Sequence, residues 1–126
     1  MVNIRKHIEY WRNGAVDEWE TTEGLLGLRK TRQALFFAHL AIEKALKAHI
    51  CRITDELAPR SHNLVRLAEV AGLDLDDAAL DLLADMNAFN LEGRYPDTLG
   101  RPPGVDEAQD QLTRAEKVFQ WLIVNL

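Results

Sequence analysis

An all-α fold, an up-and-down bundle of three long helices plus a shorter helix pair, is what this sequence predicts. Three observations carry the expectation. Residues 33–53, QALFFAHLAIEKALKAHICRI, contain neither Gly nor Pro and are rich in Ala and Leu, both strong helix formers. Residues 4–26 and the C-terminal stretch repeat apolar side chains at steps of three and four, the spacing of one helical face. Nowhere does the chain alternate apolar and polar residues as a half-buried strand would.

Taken in order, the first helix is expected over residues 4–26, with Ile4, Ile8, Trp11, Ala15, Trp19, Thr22 and Leu26 on its inner face. Gly14 weakens this helix locally and lets another one approach closely, and Gly27 marks the break before the second helix. A short connection between two long helices implies an antiparallel hairpin. The second helix, residues 33–53, carries a broad apolar arc through Ala34, Ala38, Ala41, Ala45 and Leu46. Its opposite arc is mixed: Phe36, Leu40 and Cys51 share it with Gln33, Glu43, Lys44 and Lys47. A surface helix would be polar there, so this arc is expected to be covered, by a partner or at a site.

Pro59 then stops the helix from continuing. Ser61 is the expected cap of a short helix over residues 63–70, ended by Gly72. Asp74, with Asp77 three residues on, opens another helix reaching about Phe89, whose acids Asp76, Asp81 and Asp85 form a wet side. Residues 90–104, NLEGRYPDTLGRPPG, read as an irregular segment and therefore as a place where function concentrates. Asp106 with Gln109 caps the final helix, whose buried stripe runs through Ala108, Leu112, Ala115, Phe119 and Leu122.

The 126 residues form a single domain, 1–126, large enough for a real core. A net charge of −5 argues against broad electrostatic capture of nucleic acid but leaves room for a local basic groove. The single cysteine, Cys51, excludes an internal disulfide and fits a cytoplasmic protein. Charged residues interrupt every N-terminal apolar run, so no leader is expected, and Glu43, Lys44 and Lys47 keep the second helix from being a membrane span.

Three groups of residues invite chemistry. His62, at the start of the short helix, can bond a carboxylate or a phosphate, or simply tether its loop. Glu43 and Lys47, four apart with the acid first, suit a helix ion pair, but the greasy company of Phe36 and Leu40 would leave them partly dehydrated and in need of partners such as His62, Arg94 or a phosphate. Lys44 lies beside them. Arg94 can hold a phosphate with its forked guanidinium, or tie the irregular segment to Glu43, and Tyr95 can stack on a base or fill a gap. His49, on the apolar arc, reads as a hydrogen-bonded core residue. No metal-ligand spacing, glycine-rich phosphate loop or hydrolase elbow is present, so no metal or cofactor is expected.

The run FAHLAIEKALKAHI, with Ala41 to Ala48 reading A-I-E-K-A-L-K-A, resembles the core helix of the HEPN family, all-α domains whose members include prokaryotic proteins. Ser61-His62-Asn63-Leu64 resembles that family's T-H-D-L, and Gly93-Arg94-Tyr95-Pro96-Asp97 its A-R-Y-P-D. The resemblance implies a homodimer through the mixed arc and the irregular segment. It also implies a nucleotide- or RNA-binding role, with ligand contacts at Glu43, Lys44, Lys47, His62, Arg94 and Tyr95, beside a minimal nucleotidyltransferase in a two-gene, toxin–antitoxin-like module. Ribonucleases of the family carry R-x(4–6)-H near the last helix. Here the Arg falls at Arg94, but positions 99–101 are Leu, Gly and Arg, and no histidine follows His62. Arg32 and His39 have a similar spacing in the wrong element and read as a chance match. The alternatives are a metal-independent ribonuclease in which His62 stands in for the missing histidine, with Arg94 its only other catalytic candidate, and a protein-interaction module without a ligand.

Overall fold

The computed structural model describes residues 2–94 and 104–126. Its described residues form five helices: α1 (Ile4–Gly27), α2 (Thr31–Thr54), α3 (Leu64–Ala71), α4 (Asp77–Arg94) and α5 (Val105–Val124). The expected all-α class is what the structure shows. α2 is the spine, packing against each of the other four helices, and most extensively against α1. Its Ala34, Ala38, Ala41, Ala45 and Ala48 are fully buried, which lets neighbouring helices come close. Leu35, Ile42, Leu46 and Ile50 fill the space between them, and truncating any one of these to Ala would cost about 2–5 kcal/mol.

α1 begins where Asn3 accepts the Lys6 amide on its side chain (3.3 Å). Ala15, Trp19 and Thr22 are its buried residues, and the Thr22 hydroxyl is satisfied by donating to the Glu18 carbonyl (3.0 Å). The Trp19 ring stacks on Phe119 of α5, centroids 4.8 Å apart, so α1 and α5 meet across the bundle. As expected, the break before α2 falls at Gly27, the last residue of α1; the turn follows it, with Arg29 in the left-handed region at φ 60°. Gly14 does mark a close approach: a Cβ there would stand 3.1 Å from Lys44 Cδ, whose chain crosses it.

The boundaries differ from expectation chiefly at four places. At two of them, neighbouring Ser, Asn and Asp residues compete for the cap. Asn63, not Ser61, caps α3, accepting the Arg66 amide (3.1 Å), while Ser61 Oγ accepts the Asn63 amide (3.2 Å). His62 thus precedes the helix rather than lying in its first turn. Asp76, not Asp74, caps α4 by accepting the Ala79 amide (2.8 Å). At the third, α4 continues to Arg94, so residues 90–94, expected to be irregular, are helical. At the fourth, Gly104 and not Asp106 is the cap residue of α5 and makes no side-chain cap bond, which leaves Asp106 and Glu107 in the first turn, where their charge suits the helix dipole.

Candidate functional site around Glu43

Along α2 the residues of the mixed arc form a strip, and the structure divides them sharply. Glu43 and Lys47 are 4% and 5% exposed, which for charged residues demands partners. The chain supplies them itself. Lys47 Nζ donates to Glu43 Oε2 (3.2 Å) and lies 5.1 Å from the centroid of the Trp11 ring of α1. His62 Nδ1 stands 3.0 Å from Glu43 Oε1, and His39 Nδ1, one turn before Glu43, stands 3.9 Å from the same oxygen. The expectation that another molecule must cover these charges is therefore corrected: α1 and the segment before α3 already do so.

The direction of the His62 bond follows from its partner. A carboxylate only accepts, so the proton must be on Nδ1, and in the neutral ring Nε2 keeps its lone pair on the far side. The His62 side chain is 60% exposed whereas that of Glu43 is 6% exposed. A buried carboxylate thus orients an accessible imidazole, an arrangement that can accept or deliver a proton or bond a phosphate oxygen.

What holds His62 in place is a pair of bonds no sequence pattern announced. Asn87 of α4 accepts the Leu64 amide on Oδ1 (2.9 Å) and donates from Nδ2 to Asn63 Oδ1 (2.9 Å). The loop carrying His62 is thereby pinned to α4 on one side and, through Glu43, to α2 on the other. The only available signal was a polar Asn beside the buried Met86 in a helix interior, where Asn is unfavourable without a partner.

The remaining candidates are placed as follows. Lys44 is not in the cluster: its ammonium pairs with Glu18 of α1 (2.9 Å). His39, read as part of a chance match, is 2% exposed and joins the cluster instead, while Arg32 is exposed. Arg94 is the last residue of α4, but its side chain lies outside the described residues, as does the whole of Tyr95. His49 is in the core as expected: its Nε2–H donates to the Leu122 carbonyl (2.8 Å), and its Nδ1 faces Arg52 Nη2 (3.4 Å). Burial raises the Cys51 thiol pKa, which keeps that side chain an inert core residue. Among the described residues, no three His, Cys, Asp or Glu side chains are grouped to hold a metal, and no helix is long and apolar enough to cross a membrane.

Known proteins share both the sequence pattern and the architecture. The sequence matches the HEPN domain over residues 8–125. No curated protein matches it. Two solved structures share its fold. TT1696 from Thermus thermophilus is 23% identical at a TM-score of 0.76, over 94% of this chain and 98% of that one. ST0689, an archaeal HEPN homologue, is 19% identical at a TM-score of 0.70, over 91% of this chain and 93% of its own.

Proposed function

The chain belongs to the HEPN domain family, and from that premise we propose that it binds a nucleotide or an RNA end at the surface where His62 emerges over Glu43. The observation that carries the reading is the division of labour within the cluster. Glu43 and Lys47 are consumed by each other and by Trp11 inside the protein, which leaves His62 as the group a ligand meets. An imidazole whose Nδ1–H is fixed on a carboxylate presents Nε2 in one orientation, and a phosphate or a ribose hydroxyl is the ligand chemistry it suits. Arg94, which ends α4, and Tyr95, next in the chain, would add a phosphate fork and a stacking ring. Lys44, held by Glu18, is left out of the contact set.

On this reading the protein is the binding component of a two-gene module with a minimal nucleotidyltransferase, of the toxin–antitoxin kind; family membership and the absence of the R-x(4–6)-H histidine support it. The test is titration calorimetry against a panel of nucleotides and short RNAs. The expected result is binding of at least one member, weakened about tenfold or more in His62→Ala, the size of a lost charge-assisted bond. No heat from any member would leave a ligand-free interaction module as the better description.

One observation favours a second reading. The Glu43–His62 pair is also the arrangement of a general base with its orienting acid. Cleavage of RNA by the purified protein, abolished in both His62→Ala and Arg94→Ala, would replace binding with a metal-independent ribonuclease activity.

A further inference from the structure

Away from the Glu43 cluster, the first turns of α4 and the outer face of α5 enclose a groove of about 530 Å³. Its floor is apolar, formed by Leu75, Ala79, Leu82 and Val118. Arg114 of α5 pairs with Asp85 of α4 at 3.2 Å, and the rest of the lining precedes Asp85 and follows Arg114. The two helices therefore run antiparallel here, and Trp121 stands at the end where α4 begins. The indole is 41% exposed yet not loose: it lies nearly parallel (18°) to the buried His49 ring, centroids 6.4 Å apart. Covering it costs little further ordering.

The two rims carry unlike charge. Asp74 and Asp76 line the side that leads into α4, and Arg114 and Lys117 line the α5 side. Part of this charge is answered within the chain: Arg114 also meets Asp110 (3.2 Å), and Asp76 caps α4. Asp74 and Lys117 make no ion pair or side-chain hydrogen bond among the described residues. A complementary occupant is therefore apolar along its middle, basic on the edge that meets Asp74 and acidic on the edge that meets Lys117. Nucleic acid or anionic lipid, charged with one sign, would be drawn by Lys117 and repelled by Asp74 and Asp76.

The floor also selects the occupant's backbone. Ala79, Leu82 and Val118 lie within α4 and α5, whose own helical bonds leave no main-chain group there for a strand to pair with. An extended peptide would bury amides without partners, whereas a helix arrives with its backbone already bonded. We infer that this groove receives an amphipathic helix of another protein, one whose apolar row is flanked by bases on one edge and acids on the other. Trp121 is the anchor for that row, and Asp74 and Lys117 set which edge lies where. The inference is independent of the nucleotide reading, since it concerns a different face of the bundle.

The test is fluorescence titration of the full chain with three Trp-free peptides of about fifteen residues, long enough to hold a helix. All three carry Leu at i, i+4 and i+7; their edges are one Lys row and one Glu row, two Lys rows, or two Glu rows. The mixed peptide is expected to change the emission of Trp121 and to bind about tenfold more tightly than either single-sign peptide. Trp121→Phe should remove the optical signal and weaken the binding seen by calorimetry, with circular dichroism confirming the fold. Asp74→Lys and Lys117→Glu change exposed residues, so the fold should tolerate both. The first should shift preference towards the Glu-edged peptide and the second towards the Lys-edged one. No binding of any peptide up to about a millimolar, equal binding of all three, or preferences unmoved by both reversals would each overturn the proposal. So would a fall in sedimenting mass on adding peptide, which would place a second copy in the groove instead.

Discussion

At Glu43 a single carboxylate serves three side chains, Lys47, His62 and, more distantly, His39. Its removal leaves Lys47 as a buried cation beside the Trp11 ring, without its carboxylate. Breaking a buried pair by deleting one partner costs about 3–5 kcal/mol, because the remaining charge stays desolvated. Glu43→Ala is therefore expected to lose about 3 kcal/mol in urea unfolding. The double variant Glu43→Leu/Lys47→Met, which removes both charges and keeps the volume, should lose far less than the sum of the singles. Additive losses would show that the pair is not coupled. Much of this was legible beforehand. An acid and a lysine four apart amid Phe36, Leu40 and the alanines announce dehydrated charge. What one-dimensional spacing does not encode is which element does the dehydrating: Trp11 comes from a helix antiparallel to α2, and its register there depends on the turn through Arg29.

At the scale of elements, existence and type of the helices were legible from period and from Gly and Pro. The starts of α3 and α4 were not, since Ser61 competes with Asn63, and Asp74 with Asp76, and the members of each pair are nearly equal in intrinsic capping strength. Tertiary bonds settle the first of these. Asn87 holds both Asn63 Oδ1 and the Leu64 amide, which fixes the α3 start at Asn63 and leaves His62 outside the helix and facing Glu43. Asn87→Ala is expected to cost about 1–2 kcal/mol, the value of two partly exposed hydrogen bonds. A more specific readout is hydrogen exchange: the Leu64 amide should lose protection, while amides in the middle of α2 keep theirs. Unchanged exchange at Leu64 would mean the loop is held by Glu43 alone.

For the molecule as a whole, α1 and α5 both lean on α2, and the end of α5 is fastened to it by His49 and Arg52. The His49 Nε2–H donates to the Leu122 carbonyl, and Arg52 Nη2 reaches both His49 Nδ1 (3.4 Å) and the Asn125 carbonyl (3.2 Å). Burial lowers the His49 pKa below its ordinary 6.5; the bond to Leu122 pulls it partly back, and the neighbouring Arg52 charge adds to the lowering. The consequence for stability has a definite sign. Between the lowered native pKa and 6.5, the unfolded chain binds more protons than the folded one, so acid favours unfolding. This contribution is complete above pH 6.5 and is lost as the pH falls through the native value. A protonated His49 would face Arg52 cation to cation and loosen the C-terminal turn of α5, where Trp121 reports by its fluorescence. Carboxylates titrate over part of the same range, so the comparison that isolates the histidine is with His49→Gln, whose amide can still donate to Leu122 but carries no titrating proton. Between about pH 7 and pH 5, on either side of the ordinary histidine value, the wild-type Tm should fall more steeply than that of the variant. Parallel profiles would show that the fastening of α5 does not depend on the charge state of His49.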